Sequence, residues 1–381
     1  MKISFLFGGP GGERSIDEEE LALPYRVGNF KEHPFLTLGD YFRAAASALL
    51  EEDTQPLLVC LEALSGVSFT RKDLEKVVVR SEKHGAVYHV ASIDIHAEGR
   101  KIRLGLNGAL SSSGAAQLEN EYQTLELLSS RINPSLIPMP LRKTKVTVGK
   151  KGEYFLFALV RWFDDFHEWH IAGTDWRNED IVTLWDTTTG YRRASSEEVY
   201  DIFRLSSKIL TLYYDVFSFS QIRPWHHAAG DFVVRIRNGI TDIRLVSARG
   251  YSPSPLFQLS ARPSPIVALV YFLIEISVRM RIDRFEGTGS SAWAGKVGCY
   301  GTVDGFLEGI KELEANDRLE GIHVTDIVSL LNSFEIKEFL NLLEPVADMI
   351  SIENPEDYNL LAARIEDHAH DLYEAVRACR P

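Results

Sequence analysis

Cysteine is scarce in this chain. Cys60, Cys299 and Cys379 are the only three in 381 residues, far apart and without a C-x-x-C pair. That excludes a disulfide scaffold and a cysteine-ligated zinc site, and it fits a reducing compartment. Positive charge is in deficit too: 41 Lys and Arg against 54 Asp and Glu leave a net charge of −13. Such a balance argues against a dedicated nucleic-acid binder, which normally carries a basic stripe. No apolar run reaches the length of a membrane span. The most apolar, IVALVYFLIEISV at 266–278, contains Glu275 and runs into Arg279, so it reads as a buried core helix. The opening MKISFLF is too short for a signal h-region and leads into a run of acids. The expectation is a cytoplasmic protein with no membrane and no nucleic-acid partner.

Intact catalytic motifs are also missing. There is no G-x-S-x-G nucleophile elbow. The segment GGPGGER at 8–14 follows a strand-like KISFLF but lacks the G-K-[ST] of a phosphate loop, and it reads as a flexible loop. His226 and His227 are adjacent and offer imidazole ligands, with Asp231 as a third. No H-x-x-x-H or H-E-x-x-H spacing accompanies them. FHEWH at 166–170 adds two histidines, again without metal spacing, and its aromatic neighbours read as core or pocket wall.

What is present is an ordered change of pattern along the chain. Residues 1–75 read as an N-terminal extension with a strand in KISFLF and a helix in TLGDYFRAAASALLEE. From 76 to 164 the chain is β-rich. KVVVRSEKHGAVYHVASIDIHAEGRKIRLGLNG reads as three antiparallel strands, AAQLENEYQTLELLSSR as an amphipathic helix, and KTKVTVGKKGEYFLFALVRWF as further strands. From 165 to 381 it reads as mainly helical, with one β-hairpin. FVVRIR and ITDIRLV flank Asn238-Gly239, the preferred pair for a type I′ turn. The hairpin brings WHHAAGD and SARGY to one end, close in space, and loops held on a rigid scaffold are where sites are usually built.

This order resembles the protein-kinase-like fold, in particular its aminoglycoside and choline phosphotransferase branch, over roughly residues 76–290. The resemblance implies an α+β, two-lobed architecture: a small antiparallel sheet lobe with one helix, then a larger, mainly helical lobe containing a hairpin. In that family the catalytic loop H-x-D-x-x-x-x-N runs into the first hairpin strand, and a metal-binding Asp-Phe-Gly follows the second. Laid on this chain, Pro224 falls at the motif histidine, His226 at the catalytic aspartate and Asp231 at the metal-binding asparagine. Ser247-Ala248-Arg249 takes the place of Asp-Phe-Gly, with Gly250 one position late, so the usual metal carboxylate is absent. An alternative register, reading Gly230-Asp231 as part of a His-Gly-Asp motif, would force VVRI into the catalytic loop, against the hairpin pattern.

In the first lobe the resemblance implies Glu121 as the helix glutamate, with Glu119 as the fallback. Lys101 and Arg103 are the cations on the third strand, although Gly105 and Asn107 stand nearer the expected lysine position. The implied cofactors are ATP and Mg²⁺, with Asp231 on the metal and His226 or His227 as base, since an imidazole pKa near 6.5 suits neutral pH. Ser247 would face the nucleotide. The leading expectation is a pseudokinase-type module that binds a nucleotide, another small molecule or a protein. An active, atypical metal-dependent phosphotransferase or nucleotidyl transferase is the second reading, and a metal-binding or structural protein the third. The acidic surface and helical tail are compatible with a monomer or a homodimer.

Overall fold

The computed structural model describes all residues except 9–11, 28–30, 52–53, 86, 133–134, 150–151, 175–179, 187–189, 258–262 and 380–381. Contacts divide the chain into two units, Met1–Asp164 and Asp165–Pro381.

Unit 1 starts with β1 (Lys2–Phe7), β2 (Arg14–Ser15), α1 (Glu18–Leu21), β3 (Pro24–Val27), β4 (Lys31–Thr37), α2 (Leu38–Leu50) and α3 (Gln55–Ser65). It continues with β5 (Leu74–His84), β6 (His89–Ala97), β7 (Arg100–Ala109), α4 (Ser112–Ser129), β8 (Pro140–Val148) and β9 (Glu153–Arg161). The main sheet has seven strands in the order β2-β1-β5-β6-β7-β9-β8. Successive residues face opposite sides of the sheet, apart from register shifts at Leu74/Lys76, Ser81/Lys83 and Pro140/Arg142. Val77, Val79, Ile93, Ile95, Leu104, Leu106, Phe155 and Phe157 pack in one core with Tyr41, Phe42, Ala45 and Leu49 of α2. Helix α2 starts where Thr37 and Asp40 form a capping box. The other face carries Ala109, Leu156 and Ala158 against Ala115, Leu118 and Tyr122 of α4. Beyond the reach of α4, that same face presents Arg80, Asp94 and Arg103.

One expectation changes here. The sheet is not wholly antiparallel, because β1 pairs parallel with β5 from Lys2↔Lys76 to Phe7↔Ser81. Between 76 and 164 α4 is the one helix among the described residues, and strands β5 to β9 pair antiparallel. Residues 1–75 supply β1, β2 and the helices whose apolar faces cover the sheet, so they are part of its core. An amphipathic helix such as α2 cannot bury its face alone.

Unit 2 opens with a three-stranded antiparallel sheet, β10 (Glu168–Thr174), β11 (Asp180–Asp186) and β12 (Gly190–Arg193), where a helical continuation was expected. Inward Trp169, Ile171, Val182 and Leu184 hold it in place. Then come α5 (Ser196–Leu212), β13 (Ser220–Ile222), the hairpin β14 (Phe232–Arg237) and β15 (Ile240–Leu245), β16 (Tyr251–Pro253) and α6 (Pro265–Arg279). β17 (Ile282–Arg284), β18 (Ser291–Trp293), α7 (Lys296–Ala315), α8 (Val324–Ser333), α9 (Ile336–Glu353), α10 (Pro355–Ala362) and α11 (Ile365–Ala378) complete it. Helix α6 covers the apolar run noted above, and its Leu269, Leu273 and Ile274 are fully buried. Helices α5 and α7 meet along glycines: a Cβ on Gly305 would lie 1.9 Å from the Arg204 carbonyl oxygen.

The protein is thus mixed α/β, with one seven-stranded sheet and several small ones. Among the described residues no helix is long and apolar enough to cross a membrane. All three cysteines are thiols.

Candidate functional site

The hairpin turn forms as its sequence requires. Asn238 and Gly239 both have positive φ, 52° and 74°, the conformation of a type I′ turn. The register pairs Phe232 with Leu245, and one step further out the Val246 N–H donates to the Asp231 carbonyl at 2.7 Å. The loops on either side of the hairpin are therefore adjacent, and strand β13 pairs with β16 behind them.

Asp231 stands at their junction, 1% exposed. Arg249, from the second loop, donates Nη1 to Oδ2 and Nη2 to Oδ1, both at 2.5 Å. The His226 backbone N–H adds a third donor to Oδ2 at 2.8 Å. Burial pushes the Asp231 carboxyl above its ordinary pKa, and the guanidinium and the N–H pull against that. Both oxygens are occupied by protein donors. Asp231, the residue expected as metal ligand and catalytic group, is one half of a forked ion pair joining the two loops.

The histidines separate. The His226 side chain caps a short 3₁₀ turn, His227–Ala229, by accepting the Ala228 N–H on Nδ1 at 3.0 Å. Its Nε2 faces Asp357 Oδ2 of α10 at 3.6 Å. Both ring nitrogens thus face groups of the protein. Asp357 is itself held by Arg284 Nη1 and Asn354 Nδ2, at 2.8 and 2.9 Å. His227 turns the other way, into a cage of Trp169, Phe203, Trp225 and Phe232. Its Nε2 lies 3.1 Å from the Met280 carbonyl, and burial lowers its pKa to about 3. His227, one of the two histidines expected as base, is thus enclosed, 2% exposed, while His226 lies on the other side of the loop. Ser247 is 6% exposed, with no hydrogen-bond partner for its hydroxyl among the described residues.

Close beneath the first loop lies a histidine to which the sequence reading gave no role. His170 is buried, with Nδ1 3.4 Å from Asp283 Oδ1 and Nε2 3.7 Å from Glu168 Oε2. Burial disfavours its charged form, but the two carboxylates outweigh that and hold its pKa above the ordinary imidazole value. Gly230, at φ 70°, passes so near that a Cβ there would sit 2.5 Å from Glu168 Oε1.

In unit 1 the expected cofactor residues have other partners. Arg103 donates Nε to Asp94 Oδ1 at 2.5 Å, and Lys101 Nζ lies 2.9 Å from Asp94 Oδ2. Arg80 adds a third cation, with Nη2 2.9 Å from Asp94 Oδ2. Burial would raise the Asp94 pKa, but Arg103, Arg80 and Lys101 together bring it well below the carboxylate range. Glu121 of α4 is buried and accepts the Tyr88 hydroxyl at 2.8 Å instead of pairing with Lys101 or Arg103. Glu119 pairs with Lys143. Gly105 faces Val160 and Trp162, where a Cβ would come within 2.9 Å of Val160 Cγ2.

The residues brought together are therefore His226, Asp231 and Ser247 in one loop cluster, and Lys101 and Arg103 on one sheet face. His227 and Glu121 are drawn into separate buried contacts. Arg249, Asp357, His170, Asp94 and Arg80 were missed. A signal existed for one of them: a turn at Glu98-Gly99 puts Asp94 directly across from Arg103. No protein-family description matches this chain, and no curated protein matches it either.

Proposed function

We propose that this protein is a kinase-like scaffold in which the phosphoryl-transfer site has become a structural lock, and that it works as a ligand-binding or regulatory module. The order of elements supports this reading. Five strands, β5 to β9, have helix α4 between the third and the fourth, and the second unit has a hairpin flanked by two apposed polar loops. In the family register Asp231 takes the metal-binding position, and Arg249 falls within the triplet that should carry the second metal carboxylate.

The observation that carries the proposal is the fork of Arg249 on Asp231. Phosphoryl transfer relies on Mg²⁺ to neutralise and position phosphates. Here a guanidinium already occupies the carboxylate, and Ser247 brings no second one. His226, at the catalytic aspartate position, has both ring nitrogens turned to groups of the protein. A nucleotide or other small ligand taken up by such a module would bind without a divalent ion.

The test is thermal unfolding with ATP, ADP and GTP, each with and without Mg²⁺ or Mn²⁺, beside a phosphotransfer assay. A ligand that binds only the folded state raises its stability. The expected result is no metal-dependent stabilisation and no turnover. Mg²⁺-dependent stabilisation or turnover that Asp231→Asn abolishes would overturn the proposal.

A further inference from the structure

The glycine-rich segment at 8–14 had no role in the reading above, yet it ends on a group that reaches the charged face of the unit 1 sheet. Glu13 Oε1 accepts from Arg80 Nη2 at 2.5 Å. The two side chains differ sharply in environment: that of Arg80 is 5% exposed and that of Glu13 is 55% exposed. Gly8 lies against the same arginine, where a Cβ would come 3.0 Å from Arg80 Cδ and 2.6 Å from Glu82 Oε2. A near-buried guanidinium is thus covered on its outer side by one solvent-facing carboxylate.

Arg80 is not fully satisfied by this arrangement. Nη1 donates to Ser92 Oγ at 2.7 Å and lies 3.6 Å from Glu82 Oε1, while Nη2 is shared by Asp94 and Glu13. Nε, on the same edge of the guanidinium as Nη2, is buried and has no hydrogen-bond partner among the described residues. A buried donor left unpaired is costly, and such groups often mark a ligand position. Around it Arg80, Lys101 and Arg103 bring three positive charges. Asp94, Glu82, Asp164 and Glu13 bring four negative ones, of which Asp164 is largely exposed and 3.4 Å from Arg103 Nη1. With Glu13 in place the cluster carries one negative charge in excess, and without it the charges balance.

From this geometry we infer that Arg80, Lys101 and Arg103 form a binding site for a phosphate group and that Glu13 occupies it as an internal competitor. Phosphate suits the site better than a single carboxylate oxygen, because its several oxygens can meet the Nε–Nη2 edge of Arg80 and the Lys101 ammonium together. Lys101, with its side chain 46% exposed, is the arm able to follow the ligand. Asp94 stays behind as the shared counter-ion that keeps the three cations on one face. This inference lies wholly in unit 1 and is independent of the Asp231 lock.

The experiment is calorimetric titration of the full chain with inorganic phosphate and with pyrophosphate at constant ionic strength. Glu13→Gln removes the competitor at an exposed position. It should bind phosphate about fivefold to tenfold more tightly than the wild type, the effect of releasing one charge-assisted contact. Lys101→Met in the Glu13→Gln background should reverse most of that gain. Equal affinity in wild type and Glu13→Gln, no heat from either protein, or the same response to chloride would each overturn the inference. Nucleotide binding with or without Mg²⁺ does not enter this test, so its failure is distinguishable from failure of the proposed function.

Discussion

Arg249 grips Asp231 with both guanidinium nitrogens, each 2.5 Å from a different carboxylate oxygen. The pair ties the loop before the hairpin to the loop after it, and the aspartate is almost completely buried. Removing one member of a buried ion pair leaves the other charged and without compensation. Arg249→Ala should therefore cost about 3–5 kcal/mol in chemical unfolding. The double change Asp231→Asn with Arg249→Met should recover a large part of that loss. A single-variant cost below about 1 kcal/mol would show that the fork is not structural.

Acid should destabilise the protein through its enclosed neutral histidines. Burial holds His227 and His89 each to a pKa of about 3. The unfolded chain takes up protons on these rings below about pH 6.5, whereas the folded chain does not until far lower. The contribution of these two rings is therefore full above pH 6.5 and falls by up to about 1.4 kcal/mol per pH unit for each histidine as the pH drops. Unfolding measured from pH 7 to 4 should show this slope, and His227→Phe should make it shallower. A slope unchanged by that substitution would count against the burial argument.

His170 titrates in the opposite sense. Its folded pKa is raised by Asp283 and Glu168 despite burial. Its contribution is thus full below the unfolded value near 6.5 and is lost as pH rises through the folded pKa. Imidazole nitrogen NMR should find this ring still protonated where an ordinary histidine is neutral, and Asp283→Asn should lower its midpoint. If the midpoint does not move, the 3.4 Å pairing has no electrostatic consequence.

The seam between α5 and α7 makes a separate prediction. A methyl group at Gly305 would meet the Arg204 carbonyl at 1.9 Å, while one at Gly298 would find its nearest neighbour at 3.3 Å. Alanine normally stabilises a helix interior by roughly 0.5–1 kcal/mol over glycine. Gly305→Ala should nevertheless cost about 1–3 kcal/mol by overpacking, and Gly298→Ala should cost less. Thermal unfolding of the two variants decides it, and equal melting temperatures would contradict the close approach.

The local elements were readable where short-range chemistry governs them. Asn238-Gly239 announced the hairpin and its register, because few residues accept two consecutive positive φ angles. Thr37 marked the start of α2 through its cap, whereas α4 begins at Ser112, three residues before the helix expected from Ala115. The sheet β10–β12 was passed over because its inward residues are few and its segments short, so no period stood out. The parallel partnership of β1 with β5 was equally hidden, since the two strands lie about seventy residues apart and nothing local links them.

The same division runs through the candidate site. From sequence alone one could say that WHHAAGD and SARGY meet at one end of a hairpin, because a two-residue turn fixes which residues are opposite. The sequence left His226 and His227 as a pair that could share one ligand in that loop. Tertiary structure decided which of them would be entombed among Trp169, Phe203 and Phe232, and that Arg249 rather than solvent or an ion would neutralise Asp231. It also decided that Asp94, not Glu121, would collect the strand cations. Those outcomes turn on which charges are desolvated together. Desolvation depends on what the rest of the chain packs over them, and no local pattern carries that information.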